Sequence, residues 1–283
     1  METVDTDVAA GVRASLNYVA PWSAKNRLYV APGAHLTTTE YDPHVVLIAD
    51  GRPHGGEFSL DRNGFMFVRH HSAVADFSAP AELDGTYTGE ATHLVRRLTG
   101  ADLVISEGWV LRRSGTELRG AQPPAPDVHI DLHPDRAPGV FERFHATHGQ
   151  PGKPFRRVIY TSLWRAFSPP PQDCPLAILD YQSVADTEGV ANLLLFVDQP
   201  PDPVPDTIED EQSQPAGTVF TYSPAHRWWY FPDMNPDEAL LFKLHDSDHR
   251  VAWRAPHTAF RDPSVPAGHT RESVEIRTFA FFY

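Results

Sequence analysis

The chain has 283 residues, of which 41% are hydrophobic and 22% charged, so it is long and apolar enough to bury a core without cross-links. Its 37 acidic residues outnumber its 24 basic residues and give a formal net charge of −13, which disfavours nucleic acid and anionic membrane surfaces as partners. The single cysteine, Cys174, excludes an internal disulfide, an iron–sulfur cluster and a zinc site built from several cysteines.

The sequence contains no targeting or membrane-spanning signal. No apolar run approaches the roughly 20 residues that cross a bilayer. The first residues, METVDTDVAAGVRAS, lack the basic stretch and apolar core of a secretory signal. We therefore predict a cytoplasmic protein.

The first half of the chain predicts short strands and one long helix. Residues 41–75 read as strands around the turn 61–64, Asp-Arg-Asn-Gly. Residues 85–99 carry apolar side chains at helical spacing, and Gly100 is expected to end that helix. The apolar runs DLVIS and WVLRR predict a hairpin that turns at residues 107–108.

The second half of the chain is dominated by short strand-like segments. A strand at 128–132 and a short helix at 135–147 are followed by runs rich in Val, Ile, Tyr, Phe and Trp, separated by Pro, Asp and Gly. These runs are FRRVIYTSLW, PLAILD, NLLLFV, GTVFTY, RWWYF, EALLFKL, VAWRAP and RESVEIRTFAFFY. The 27 prolines also disfavour an all-helical fold. The pattern predicts a mainly β fold with helical support, a double-stranded β-helix of the jelly-roll, cupin-like type.

We expect residues 1–283 to form a single domain. Residues 1–120 would supply strands and a helix that support the barrel, and residues 121–283 would form the jelly-roll core. Residues 198–216 contain acidic residues and prolines but no Lys or Arg, which predicts a solvated surface loop. A lid over a cleft is the alternative interpretation of that loop.

The motif Val-His-Ile-Asp at residues 128–131 is the main chemical signal. On a strand, alternate side chains point to one face, so His129 and Asp131 project together. An imidazole and a carboxylate so placed are two thirds of a two-histidine, one-carboxylate triad, the usual ligand set of non-haem Fe(II). His133 shares that face and is a rival ligand. Motifs of dinucleotide, phosphate, zincin and α/β-hydrolase sites are absent.

The third ligand must come from a later strand. We choose His257, because it lies in an apolar strand-like segment near the end of the chain. The remaining candidates are His226, His245, His249 and His269.

The last strand supplies a candidate anion site. Arg271 and Ser273 share one strand face, and a guanidinium with a neighbouring hydroxyl can bind a carboxylate. This pair suits the distal carboxylate of 2-oxoglutarate, a keto acid that can also chelate iron. Arg277 lies on the same face and is a rival for that role.

Several long runs of the sequence resemble a known family. The runs HRWWYFPDMNPDEALLFKLHDS and APHTAFRDPSVPAGHTRESVEIRTFAFFY, together with LWRAF, CPLAILDYQSVAD, SLDRNGFMFVRH and AVADF, are similar to the CmcJ-like and asaB-like hydroxylase/desaturase family over roughly residues 55–283. That family acts in secondary-metabolite pathways such as cephem methoxylation, gibberellin desaturation and meroterpenoid endoperoxide formation. The resemblance implies an enzyme dependent on Fe(II), 2-oxoglutarate and O2, with ligands at His129, Asp131 and His257 and a co-substrate anchor at Arg271.

The resemblance leaves the substrate open. A small-molecule intermediate would be hydroxylated, desaturated or oxidatively cyclised. Four residues are candidates to contact it, although a structural role is an alternative for each: Trp164, Arg165, His226 and Trp229. The family commonly has Trp-Arg-Pro where this chain has Ala166 in the third place, which bears on substrate and not on iron. A homodimer or a pathway partner protein, a non-catalytic accessory role, and a jelly-roll metalloenzyme that does not use 2-oxoglutarate are the alternatives.

Overall fold

The computed structural model of the chain describes residues 11–115, 117 and 120–283. Residues 1–10 lie outside the described residues, and so does most of the N-terminal segment that was predicted to lack a secretory signal. Within the described part, no helix has both the length and the apolar character needed to cross a bilayer.

Strands predominate over helices in the described residues, as the sequence pattern predicts. The strands are β1 (Gly11–Val19), β2 (Arg27–Ala31), β3 (Ala34–Thr37), β4 (Tyr41–Asp50), β5 (Phe65–Arg69), β6 (Leu103–Arg113), β7 (His129–Ile130), β8 (Arg157–Ala166), β9 (Leu176–Leu179), β10 (Val190–Phe196), β11 (Ala216–Val219), β12 (Trp228–Tyr230), β13 (Glu238–Asp246), β14 (His257–Ala259) and β15 (Glu272–Phe282). The α-helices are α1 (Leu60–Asn63), α2 (Pro80–Glu82), α3 (Thr88–Thr99) and α4 (Ala137–His148).

The strands form two sheets that share a core. One sheet has the spatial order β1-β4-β12-β9-β14-β7-β11-β10-β2-β3, and the other has the order β5-β13-β8-β15-β6. Neighbouring strands are antiparallel except for the pairs β2 with β10 and β4 with β12. Side chains of both sheets meet in one apolar cluster, so the prediction of facing β-sheets with helical support is confirmed.

The last strand shows how the layers are arranged. On β15, Phe279 and Phe281 point into the cluster between the sheets. The alternate residues Val274 and Ile276 belong to a second cluster on the other face, which is covered by the buried side of α3. The period of two along the strand therefore separates an inner face, where the site lies, from an outer face covered by a helix.

The predicted hairpin at residues 107–108 is wrong. Residues 103–113 form one continuous strand, β6, which pairs with β15 on both sides of that point. The pairing register shifts between Arg277 and Thr278, so one residue of β6 is left over as a β-bulge. Gly108 adopts a φ of 134°, and this flexibility lets the chain pass through the bulge without turning back.

Another segment also differs from its prediction. Residues 251–256, VAWRAP, are irregular, because their backbone groups bond to separate parts of the fold and form no continuous ladder with one strand. The Lys243 ammonium donates to the Ala252 carbonyl at 2.7 Å, and the Ala255 N–H donates to the Lys243 carbonyl at 2.9 Å. The strand begins only at His257.

Gly64 closes the predicted turn and offers a stability test. It caps α1 with a φ of 82°, and a Cβ there would lie 2.5 Å from the carbonyl oxygen of Arg254. We expect Gly64→Ala to lower the free energy of unfolding by about 1–3 kcal/mol, measured by urea denaturation. Gly56→Ala is the matched control, because Gly56 has no positive φ and a Cβ there meets no atom within 4 Å. Equal stability of the two variants would contradict the prediction.

The acidic loop at residues 198–216 is held against the body of the protein. Lys25 Nζ lies 2.6 Å from a carboxylate oxygen of Asp206, and Arg27 and Arg136 donate to backbone carbonyls of the loop. Its apolar residues pack in a small cluster with β10. The role of the loop as a lid stays a prediction.

Candidate metal centre

Two histidines far apart in sequence face each other across adjacent strands. β7 and β14 are antiparallel neighbours, and His257 lies directly opposite His129 in their register. Their ring centroids are 4.5 Å apart. Partners in an antiparallel pair project to the same face, so both imidazoles point into the space between the sheets.

Backbone contacts set the tautomer of both rings. Nδ1 of His129 lies 2.8 Å from the carbonyl oxygen of Asp127, and Nδ1 of His257 lies 3.2 Å from that of Ala255. A carbonyl oxygen only accepts, so Nδ1 carries the proton in each ring. Nε2 of each histidine therefore keeps a lone pair, the form in which metal-binding histidines are usually held.

Asp131 is the nearest carboxylate to this pair. Its Oδ1 lies 3.7 Å from Nε2 of His129, and its Oδ2 lies 3.2 Å from Nε of Arg277. Across the described residues, no three His, Cys, Asp or Glu side chains form a ready metal site. His129 therefore lies near both of the other predicted ligands, His257 and Asp131. The Asp131 carboxylate also contacts Arg277, so the three side chains are not yet arranged around one point.

Burial and neighbouring charges favour the metal-binding forms of His257 and Asp131. Burial lowers the pKa of His257 to about 3, and the neighbouring His129 acts in the same direction. Burial by itself would raise the pKa of Asp131, but Arg277 and then the two histidines hold it well below its usual range. At neutral pH the site therefore presents neutral His257 beside an ionised carboxylate, which suits a divalent cation.

A small cavity of about 20 Å³ connects the two histidines to Arg271. Arg271 is 1% exposed, and its Nη1 donates to the carbonyl of Cys174 at 2.8 Å. Its Nε, and the hydroxyl of the fully buried Ser273, have no hydrogen-bond partner among the described residues. Buried polar groups without partners are rare in proteins, so these two atoms call for a polar ligand.

Trp164 and Arg165 occupy opposite faces of β8. Trp164 lines the cavity, and the Arg271 guanidinium lies 5.5 Å from its ring centroid. Arg165 points to the outer face, where it donates to the carbonyls of His70 and Pro236. Successive side chains on a strand cannot enter the same cavity, so the position of Arg165 favours the structural alternative, and its contact with the substrate stays a prediction.

The outward position of Arg165 predicts a structural role. Arg165 is completely buried, and we expect Arg165→Met to lower the free energy of unfolding by about 2 kcal/mol, since the carbonyls that it satisfies lose their donors. Arg250→Met, at a side chain that is 88% exposed, should change it by less than about 0.5 kcal/mol. Urea denaturation of both variants measures the difference. An Arg165→Met protein with unchanged stability would contradict this assignment.

His226 and Trp229 also lie outside the cavity between His129 and Arg271. His226 is held between Glu188, at 2.7 Å from Nε2, and the hydroxyl of Tyr18, at 3.2 Å from Nδ1. Trp229 packs edge-on against Phe58, with ring centroids 5.0 Å apart. The positions of His226 and Trp229 do not support the predicted contact with substrate. Both side chains instead pack against neighbouring residues around β12.

The rival ligands and the rival anchor are likewise placed elsewhere. His245 faces His249 with 3.4 Å between their Nε2 atoms, and the ring of His133 accepts from the backbone N–H of Asp135. Arg277 contacts Asp131, whereas Arg271 borders the cavity. The structure therefore gives the two arginines different surroundings.

Two charged residues of the cavity wall were missed in the sequence. Arg112 and Glu275 border the cavity and form an ion pair at 3.1 Å. Glu275 could have been found, because it shares the strand face of Arg271 and Ser273. Arg112 could not, since it reaches the site only through the register that places β6 opposite Ser273.

Comparison with known proteins gives matches over nearly the whole chain. A family model described as the oxidoreductase/YMDC permease-like domain matches residues 16–281. The hydroxylase/desaturase efuI of Hormonema carpetanum is 30% identical over 266 residues, which cover 87% of this chain and 86% of that relative. The Fe(II)/2-oxoglutarate-dependent dioxygenase nvfI of Aspergillus novofumigatus is 28% identical over 269 residues, with 90% and 89% covered.

Solved structures show the same similarity in three dimensions. The iron and alpha-ketoglutarate-dependent endoperoxidase NvfI matches with a TM-score of 0.77 and 27% sequence identity. The match covers 95% of this chain and 97% of that one.

Proposed function

Because the chain belongs to the oxidoreductase family that contains the hydroxylase/desaturases and the Fe(II)/2-oxoglutarate-dependent dioxygenases, we propose that His129, Asp131 and His257 hold its Fe(II) ion. The predicted family and the cupin-like fold are confirmed by the relatives and by the similarity to NvfI. The chain is an oxygenase of this class, with 2-oxoglutarate as co-substrate and O2 as oxidant.

The opposed histidine pair carries the proposed ligand set. Two imidazoles with Nε2 lone pairs on one inner face, and an ionised carboxylate 3.7 Å from one of them, match the donors that non-haem Fe(II) prefers. Bound iron supplies the oxidative chemistry, while the protein holds the ligands and places the substrate. Asp127 and Ala255 fix the two rings through their carbonyls, so the ring orientations are set before the metal arrives.

Arg271 and Ser273 are proposed to bind the distal carboxylate of 2-oxoglutarate. The unpartnered Nε and hydroxyl support this role, because a carboxylate accepts from both. The cavity of about 20 Å³ is smaller than a five-carbon diacid. Binding therefore requires wall side chains, such as Arg112 and Glu275, to shift, which is common on ligand binding.

One domain is proposed for residues 1–283. β5 and β6, from before residue 120, pair with β13 and β15 from the later part of the chain. The two parts thus contribute strands to one sheet, and neither could keep its hydrogen bonds alone.

The substrate is a small molecule, and its placement beside the metal decides between hydroxylation, desaturation and ring formation. The relatives are named for several of these outcomes, including a hydroxylase/desaturase and an endoperoxidase. A cytoplasmic location and association as a homodimer or with a pathway protein stay predictions.

Spectroscopy and product analysis test the proposed function. Anaerobic addition of Fe(II) and 2-oxoglutarate should produce a weak visible charge-transfer band, and aerobic incubation with natural-product scaffolds should release succinate. Absence of the band in the purified chain would contradict the proposal. Turnover without any keto acid would favour a metalloenzyme of another kind.

A further inference from the structure

A larger cavity reaches the proposed metal centre at Asp131. It has a volume of about 310 Å³ and is bordered by Asp131, Tyr160, Arg277, Glu107 and Val140. It shares no lining residue with the cavity that holds Arg271 and the two histidines. Small-molecule sites typically occupy about 300–1,000 Å³, so this space is large enough for a substrate while the Arg271 side receives the co-substrate.

The bulge in β6 places a carboxylate at this cavity. Where the pairing with β15 shifts register, Glu107 is the extra residue, and its solvent-exposed carboxylate accepts a hydrogen bond from the Tyr160 hydroxyl at the edge of the cavity. Bulges are frequent beside active sites, where they redirect a side chain. A regular strand would have no extra residue between the partners of Arg277 and Thr278. Glu107 therefore borders the cavity because the pairing of β6 with β15 is interrupted there.

The polar groups in the cavity leave Glu107 able to accept further hydrogen bonds. The buried Tyr160 hydroxyl donates to one carboxylate oxygen of Glu107, and Arg277 is engaged with Asp131 and Glu275. Within the described ranges, no Lys or Arg forms an ion pair with Glu107. A carboxylate accepts about four hydrogen bonds, so one donor from Tyr160 leaves most of the capacity of the exposed Glu107 available to solvent or to a ligand.

We propose that this cavity is the substrate site and that Glu107 selects small molecules carrying a hydrogen-bond donor, with a protonated amine preferred over a hydroxyl and an anion disfavoured. The proposal rests on the proposed function, because it assigns the substrate class of the same metal centre. Apolar walls from Val110, Leu132 and Val140 would hold the hydrocarbon part of the substrate.

The test uses three ring compounds of similar size: cyclohexylamine, cyclohexanol and cyclohexanecarboxylate. Each is titrated anaerobically into the protein loaded with Fe(II) and 2-oxoglutarate, and the visible band and binding heat are recorded. In wild type, the amine should bind about tenfold more tightly than the carboxylate. Glu107→Gln should weaken amine binding by about tenfold, which corresponds to losing one charge-assisted hydrogen bond, and should change alcohol binding much less.

Matched controls separate the local effect from the loss of one negative charge. Glu40→Gln removes the same charge from an exposed residue that does not line the cavity, and it should retain the wild-type preference. Unchanged preference in Glu107→Gln, tightest binding of the carboxylate, or no binding of the amine to wild type would each overturn the proposal. Failure of the band to form before any ring compound is added would instead count against the proposed function.

Discussion

His257→Ala should abolish Fe(II) binding and, with it, substrate-dependent succinate release. Removing a partner of a metal ligand typically costs 10- to 100-fold in metal affinity, so removing a ligand itself should cost more than about 100-fold. The effect should be large here because His257 is buried opposite His129, and among the described residues no histidine besides these two lines that cavity. Iron titration and the anaerobic band with 2-oxoglutarate measure it.

An exposed histidine provides the control for this substitution. His71 has a side chain that is 83% exposed and pairs with Asp237 at the surface, so His71→Ala should bind iron like wild type. Retention of both band and turnover in His257→Ala would show that another residue supplies the third ligand. Circular dichroism of the iron-free variant distinguishes lost binding from lost folding.

Arg271→Gln should raise the KM for 2-oxoglutarate by about 10- to 100-fold. Loss of a charge-assisted hydrogen bond costs about 1.5–3 kcal/mol, and each 1.36 kcal/mol is a factor of ten. The substitution should leave iron affinity nearly unchanged, because Arg271 contacts the Cys174 carbonyl and the cavity but no proposed metal ligand. Succinate formation as a function of 2-oxoglutarate concentration, with iron saturating, gives the KM.

Two further arginine variants decide whether the role belongs to Arg271. Arg271→Lys keeps the charge but loses the planar fork, so its KM should lie between those of wild type and Arg271→Gln. Arg277→Gln should keep a KM near wild type, because Arg277 contacts Asp131 rather than the cavity at Arg271. A large rise in KM for Arg277→Gln with none for Arg271→Gln would reverse the assignment.

Two sequence-based predictions that differ from the structure concern side-chain direction on β8 and the path of the chain at residues 107–108. Trp164 and Arg165 are consecutive on a predicted strand, so the period of two already implied that at most one could face a cavity. The dipeptide at residues 107–108 has turn chemistry, but a glycine within a strand pattern also marks a bulge. The surrounding ladder with β15 decided between those two outcomes.

Features that depend on local residue patterns could be predicted from the sequence. Helix α3 ends at Thr99 because Gly100 caps it with a φ of 71°. Arg271, Ser273 and Arg277 fall on one strand face because side chains alternate along a strand. Which late histidine meets His129, which arginine borders the cavity, and that Glu107 reaches Tyr160 depend on the tertiary structure. Each of these depends on the register between strands distant in sequence, and a shift of one residue would send the same side chains to the opposite face.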